Sequence, residues 1–391
     1  MLKLVPSRIQ HFAYLLKLQR RVASLHFPGI FLQRLYFELF EKKRLLSAST
    51  CPSRRSSQSN LMLTAPPLVS PGNYWNITFF FHREILRNNF SMEHEMARAY
   101  ESSARRFGHK TNFIDTPLAR ETIKSKDLFS YFLDLNTTHL ILLGDTKTSE
   151  HPGLNIEMLR TLRSQGIKVI VVIMDLLFTN RLMGKDLVEF WMDESDVMVV
   201  HNSRILEYFP DLDNILLWPS LPYPEDESIF KQDSLQDIDL LIPGSDHRQR
   251  GVFASYVEKR GVRVASKLSN RITNNSQSYS WEHYLEQIKK AKLVFTNGYR
   301  NSRESQVIAR TTEVMLAKSV LLYETGSDID YFFEPYYDYI PIHSLPDLTE
   351  KTNFLLNNHS LRDQIRYNSF NTISTKYSYK RFWNLLESKI D

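Results

Sequence analysis

The sequence predicts an α/β protein built from two parallel-sheet domains. Short apolar runs rich in β-branched and aromatic residues alternate with helical stretches, a proline-rich segment interrupts the alternation, and the alternation then restarts. With 391 residues the chain exceeds one ordinary core and fits two domains of roughly 150 residues plus appendages. Hydrophobic residues make up 42% and charged residues 24%, and 24 Phe with 19 Tyr supply ample material for burial. A lone cysteine, Cys51, excludes an internal disulfide and a cysteine-built zinc site, which fits a reducing, cytoplasmic setting.

Charge is uneven along the chain. Residues 1–60 hold eleven Lys or Arg against Glu38 and Glu41, a local +9 within a total of +5, so the rest is mildly acidic. A basic arm on an acidic body argues against a broad nucleic-acid face and for local attraction to an anionic surface. Residues 8–46 read as two helical stretches divided at Phe27-Pro28-Gly29, the second with Ile30, Phe31, Leu35, Leu39 and Phe40 on one face. Three readings fit that face: packing on the body, an interfacial membrane helix, or a presequence. No run approaches 18 apolar residues, and arginines interrupt the first forty positions, so neither a spanning helix nor secretion is expected. Residues 47–71, rich in Ser, Arg and Pro, read as a poorly ordered linker.

Strands are expected at Asn76–Phe81, Thr111–Ile114, His139–Gly144, Lys168–Met174, Val197–His201 and Ile215–Trp218. A helix over Met92–Phe107, closed by Gly108, completes the first βαβ unit. Trp218-Pro219-Ser220-Leu221-Pro222-Tyr223-Pro224 carries three prolines, which neither strand nor helix tolerates, and marks the domain boundary. Further strands follow at Ile238–Pro243, Val262–Ala265, Leu293–Asn297, Val320–Tyr323 and Tyr339–Ile342, then a helical C-terminus. The domains are thus 1–70 (basic helical extension and linker), 71–224 and 225–391.

Open parallel sheets bind ligands outside the carboxyl ends of their strands. In the second domain those ends lead into Gly244–Arg250, with Arg248 and Arg250, and Gly298–Arg303, with Arg300 and Arg303. Arginine forks beside helix N-termini suit a diphosphate, although each arginine also reads as an ordinary solvated loop residue. In the first domain the strand-end groups are His82, Arg83, Gly144, Asp145, Asp175 and His201. Asp175, ending the apolar run Val169–Met174, is the first choice as the base for an acceptor hydroxyl; capping of the following segment is its plain alternative.

The stretch Val307–Leu322, with Arg310 and Glu313 in an Arg-x-x-Glu helix leading into an apolar strand, resembles GT-B glycosyltransferases, among them the CgeB-like and group 1 members. Asp328–Glu334, the Tyr339–Ile342 strand and the closing Tyr-x-x-Arg-Phe helix resemble the same group, over roughly residues 237–388. The resemblance implies two Rossmann-like domains facing a cleft. It further implies that Glu313 holds the nucleotide ribose and that Arg310, one turn earlier, lies near the phosphates. An i, i+3 pair of that kind also reads as a plain surface ion pair. The sequence departs from the retaining pattern of two glutamates, because the position eight before Glu313 is Ser305 and Glu304 misses by one.

Asp237-Ile238-Asp239 and Asp328-Ile329-Asp330 match metal-binding Asp-x-Asp only as short patterns, and no metal is expected. P-loop, zinc-protease and serine-hydrolase motifs do not occur. The expected activity is transfer of a sugar from a nucleoside-diphosphate donor, a substrate and not a cofactor, to a hydroxyl acceptor. The alternatives are a non-catalytic binder of nucleotide sugar or glycan, and a nucleotide-sugar epimerase. The expected location is the cytoplasm, with peripheral membrane contact through residues 8–46 and no nucleic-acid partner.

Overall fold

The computed structural model describes residues 74–81, 92–115, 128–144, 154–174, 181–227, 230–231, 235–244, 250–265, 281–298 and 306–390. The expected basic extension and linker lie outside these residues, as do Arg248, Arg300, Arg303 and Asp175.

The first sheet comprises β1 (Asn76–Phe81), β2 (Lys110–Asp115), β3 (His139–Leu143), β4 (Lys168–Ile173), β5 (Val197–Val200) and β6 (Ile215–Leu217), in the order β2-β1-β3-β4-β5-β6. All pairings are parallel. Helices α1 (Met92–Phe107), α2 (Leu128–Asp134), α3 (Ile156–Ser164), α4 (Arg181–Glu194) and α5 (Ile205–Tyr208) alternate with them. Strands β3 and β5 are buried at every position, as expected when helices cover both faces of a parallel sheet. After α1, Gly108 takes φ +115° and its N–H bonds back to the Ala104 carbonyl at 3.1 Å, a helix end that suits a residue without a Cβ.

The second sheet, also parallel, is β7 (Ile238–Leu241), β8 (Val264–Ala265), β9 (Ala291–Thr296), β10 (Val320–Glu324) and β11 (Ile340–Ile342), in the order β11-β10-β9-β7-β8. Its helices are α6 (Arg250–Glu258), α7 (Trp281–Lys290), α8 (Ala309–Leu316), α9 (Ile329–Phe332), α10 (Leu345–Leu356) and α11 (His359–Thr375), before the final α12 (Tyr379–Ile390). On one face Leu240, Ile242, Leu293, Phe295, Val320 and Leu322 pack with Phe253, Val257 and Leu348.

The last helix corrects the sequence-based boundary. Residues 225–391 were expected to form one domain, yet Ser374–Asp391 belongs to the unit of Leu61–Glu227, and the second unit runs through Ser228–Gln277 and Glu282–Ile373. The cause is apolar burial. Trp383 is fully buried and its indole N–H donates to Ser103 Oγ at 3.0 Å. Phe382 meets Tyr100 and Trp218 edge-on at 5.7 and 5.3 Å.

Candidate nucleotide site

The carboxyl rim of the second sheet gathers the polar residues of interest. Past β7, Gly244 takes φ +105°. A Cβ there would stand 2.6 Å from Arg250 Nη1 and 2.9 Å from Arg310 Nη2, so two guanidinium groups converge over a bare backbone. Arg250 is nearly fully buried although it opens α6. Two guanidinium groups held close over a glycine suit a doubly charged anion chemically, since each fork offers paired N–H donors.

Arg310 and Glu313 both lie on α8, one turn apart, and the structure brings them together through a third residue. Tyr284 of α7 donates its hydroxyl hydrogen to Glu313 Oε2 at 3.0 Å and accepts from Arg310 Nε at 2.8 Å. Glu313 is 2% exposed, which rules out the plain surface ion pair. Arg310 Nη1 also lies 3.5 Å from Thr296 Oγ1 at the end of β9. Of the six donor-site residues read from the sequence, Arg250, Arg310 and Glu313 therefore share one rim, while Arg248, Arg300 and Arg303 lie outside the described residues.

Two groups, one partly and one fully buried, were not singled out for this site. Tyr284 gave no signal, being 29 residues from Glu313 in the chain. Asn297 was visible only as a strand end. It is fully buried, and neither its Nδ2 nor its Oδ1 has a hydrogen-bond partner among the described residues. A buried polar group left so costs about 1–3 kcal/mol.

The segment ends beside this rim are tightly closed. Gln306 N donates to Gly298 O at 3.0 Å, Tyr323 Oη to Gln306 O at 2.9 Å, and Val307 N to Asp328 Oδ1 at 2.8 Å. A Cβ on Gly298 would lie 1.9 Å from Gln306 O and 2.1 Å from Tyr323 Oη. Gly298→Ala is therefore expected to lower stability by about 1–3 kcal/mol through overpacking; urea unfolding within error of wild type would refute this.

Three of the Asp-x-Asp carboxylates, Asp239, Asp328 and Asp330, are engaged in structure. Asp239 pairs with Arg263 at 2.9 Å and Lys292 at 2.6 Å, and these cations hold its carboxyl below the usual range against the opposing effect of burial. Asp328 accepts from Val307 N, and Asp330 accepts from the Tyr339 hydroxyl. Among the described residues no cluster of three or more His, Cys, Asp or Glu is placed to hold a metal.

In the first unit, His201 ends β5 inside the core, Nδ1 on Trp218 O at 2.7 Å, and burial lowers its pKa to about 4. That is a packed neutral imidazole and not a base open to an acceptor. Gly144 is likewise structural, since a Cβ would lie 2.1 Å from Val171 Cγ1 and its carbonyl accepts from Trp191 Nε1.

Residues 234–388 match the family model described as Glycosyl transferase-like. No curated protein matches the chain. Among solved structures, Anabaena Alr3699/HepE in complex with UDP-glucose superposes with a TM-score of 0.52 at 8% identity, over 81% of this chain and 98% of that one. A glycosyltransferase from Rickettsia africae ESF-5 gives 0.55 at 10% identity over 81% and 98%. Sucrose-phosphate synthase (tll1590) from Thermosynechococcus elongatus gives 0.54 at 9% over 81% and 99%. These likenesses establish the fold. Residues 234–388 match the glycosyl transferase-like family model, and the chain has the two Rossmann-like parallel-sheet domains of the GT-B fold.

Proposed function

We propose that this protein is a glycosyltransferase that moves a sugar from a nucleoside-diphosphate donor to a hydroxyl acceptor. The observation that carries the reading is the convergence of Arg250 and Arg310 over Gly244, with Glu313 fixed one turn from Arg310 by the Tyr284 hydroxyl. Two guanidinium groups suit a diphosphate, and a buried carboxylate offers two acceptors to a vicinal ribose diol. The matching family model and the UDP-glucose bound by HepE support the same class of donor.

In the reaction the acceptor oxygen attacks the anomeric carbon as the bond from that carbon to the diphosphate breaks. The acceptor proton passes to a base, and Asp175, directly after the last described residue of β4's end, Met174, is our candidate. Charge gathering on the leaving diphosphate is met by Arg250 and Arg310, with Arg248, Arg300 and Arg303 as further candidates on the adjoining segments. Transfer of a hexose without a bound metal fits a rim whose nearby Asp-x-Asp carboxylates are already engaged. We place the protein in the cytoplasm, with the basic residues 8–46 as a peripheral membrane contact. No described helix is long and apolar enough to cross a membrane.

A titration of the protein with UDP, GDP, ADP, CMP and dTDP tests the donor site. One nucleoside diphosphate is expected to bind, and Glu313→Ala to weaken it about 10–100-fold, the worth of hydrogen bonds to a charged group. Failure of every nucleotide to bind well-folded protein would remove the donor site. Binding without turnover of the matching sugar nucleotide would favour a non-catalytic binder, the reading that Ser305 in place of a glutamate supports.

A further inference from the structure

Asn297 presents two hydrogen-bonding groups that have no partner among the described residues, inside the second sheet. Its position follows from strand geometry. Side chains alternate along a strand, so Asn297, one residue past β9, shares the face of Leu293 and Phe295. The Phe295 ring lies 4.8 Å from that of Phe253 on α6. Arg250 stands one helical turn before Phe253, at the rim end of α6, and so at the level of Asn297.

Pairing registers give the neighbours on either side. Leu241 is opposite Val294 in β7 and β9, and Tyr323 is opposite Thr296 in β10 and β9. Continued along the strands, these registers set Gly244 on one side of Asn297 and Glu324, a buried carboxylate, on the other. Gly244 is the point where the Arg250 and Arg310 guanidinium groups converge.

We propose that Asn297 is a ligand residue for the diphosphate of the donor, its Nδ2–H donating to a phosphoryl oxygen seated over Gly244. The inference rests on the reading of this rim as the donor site. The two arginines supply the charge. A neutral amide adds a directional donor between the anion and the Glu324 carboxylate, where a third cation would have to be desolvated as well. The amide without partners is then a group held ready for ligand, which ligand-free folding does without.

That last consequence separates a binding role from a structural one. Asn297→Leu, of similar size, removes both unsatisfied atoms, so the ligand-free variant is expected to melt at or above the wild-type temperature. Calorimetric titration with UMP and UDP is expected to show UMP affinity unchanged and UDP affinity reduced at least tenfold. If GDP or ADP is the nucleotide that binds wild type, its mono- and diphosphate pair replaces UMP and UDP. Asn297→Asp, which keeps the shape but adds a negative charge, is expected to lose more UDP affinity than the leucine variant while still binding UMP. Equal losses for mono- and diphosphate, or UDP affinity within twofold of wild type in both variants, would overturn the proposal and leave the donor site standing. A fall in the melting temperature of ligand-free Asn297→Leu, with UDP still bound by Asn297→Asp, would make the amide structural and overturn it too. If wild type binds no nucleotide at all, the donor site falls and this role with it.

Discussion

Trp383→Ala is expected to destabilise the first unit by about 3–5 kcal/mol, the usual cost of emptying a fully buried aromatic site. The residue sits on α12, at the end of the chain, yet its ring packs edge-on against Trp75 at 6.4 Å and His109 at 5.2 Å. Its indole N–H is the donor to Ser103 Oγ. Trp75 directly precedes β1, Ser103 lies in the second half of α1 and His109 directly precedes β2, so the cavity would open where three early elements meet. Neighbouring Phe382 would lose a perpendicular ring at 5.1 Å, and the helix would be left held largely by Phe382, Leu386 and Tyr379. At roughly 2–4 °C per kcal/mol for a unit of this size, the melting temperature should drop by about 10 °C. Tyr367→Ala serves as the contrast, because Tyr367 is 68% exposed and should change stability by no more than about 0.5 kcal/mol. Melting of Trp383→Ala alongside the Tyr367 variant would mean that α12 contributes little to the first unit.

The docking of α12 also shows where sequence reading stops. The strands were legible because buried parallel strands are continuous apolar runs, and Ile77–Phe81 or Val169–Ile173 can hardly be anything else. The break between the two sheets, between β6 and β7, was legible from its prolines. In α12, Phe382, Trp383 and Leu386 announce a buried stripe, but periodicity identifies the face a helix hides and never the partner it hides against. The site divides the same way. Arg310 and Glu313 were readable because one helix carries both at fixed spacing. Tyr284 was not, since nothing local links a tyrosine on α7 to a carboxylate on α8. Asn297 was visible as a strand end, but its lack of partners is a property of the packed core, beyond the reach of composition. His201 and Gly144 show the reverse case, strand-end residues that packing has taken up.

The same aromatic cluster sets the protein's response to acid. Trp75 is stacked with two imidazoles, His139 at 3.8 Å and His109 at 5.0 Å between ring centroids. Burial lowers the His109 pKa to about 4 and, with help from the charges of His109 and Lys168, the His139 pKa to about 3. Glu387, 3.6 Å from His109 Nε2, does not reverse this, and Nδ1 already accepts from Trp75 N at 3.4 Å, so a proton there would face another N–H. Both rings are therefore neutral in the folded state well below pH 6.5. The unfolded chain takes up protons as pH falls through about 6.5, and the folded state does not until about 4 and 3. Stability is then complete above pH 6.5 and declines as pH falls between those limits. From pH 7 to pH 5 each histidine should remove about 2 kcal/mol, and His201, lowered to about 4 in the same unit, should act alike. Replacing His139 with phenylalanine keeps a ring against Trp75 but cannot bind a proton. The His139→Phe variant should therefore lose about 2 kcal/mol less than wild type between pH 7 and pH 5, measured by urea unfolding at both. Parallel losses in the two proteins would show that His139 takes up its proton in the folded state, and that the stack on Trp75 survives as a cation over an indole.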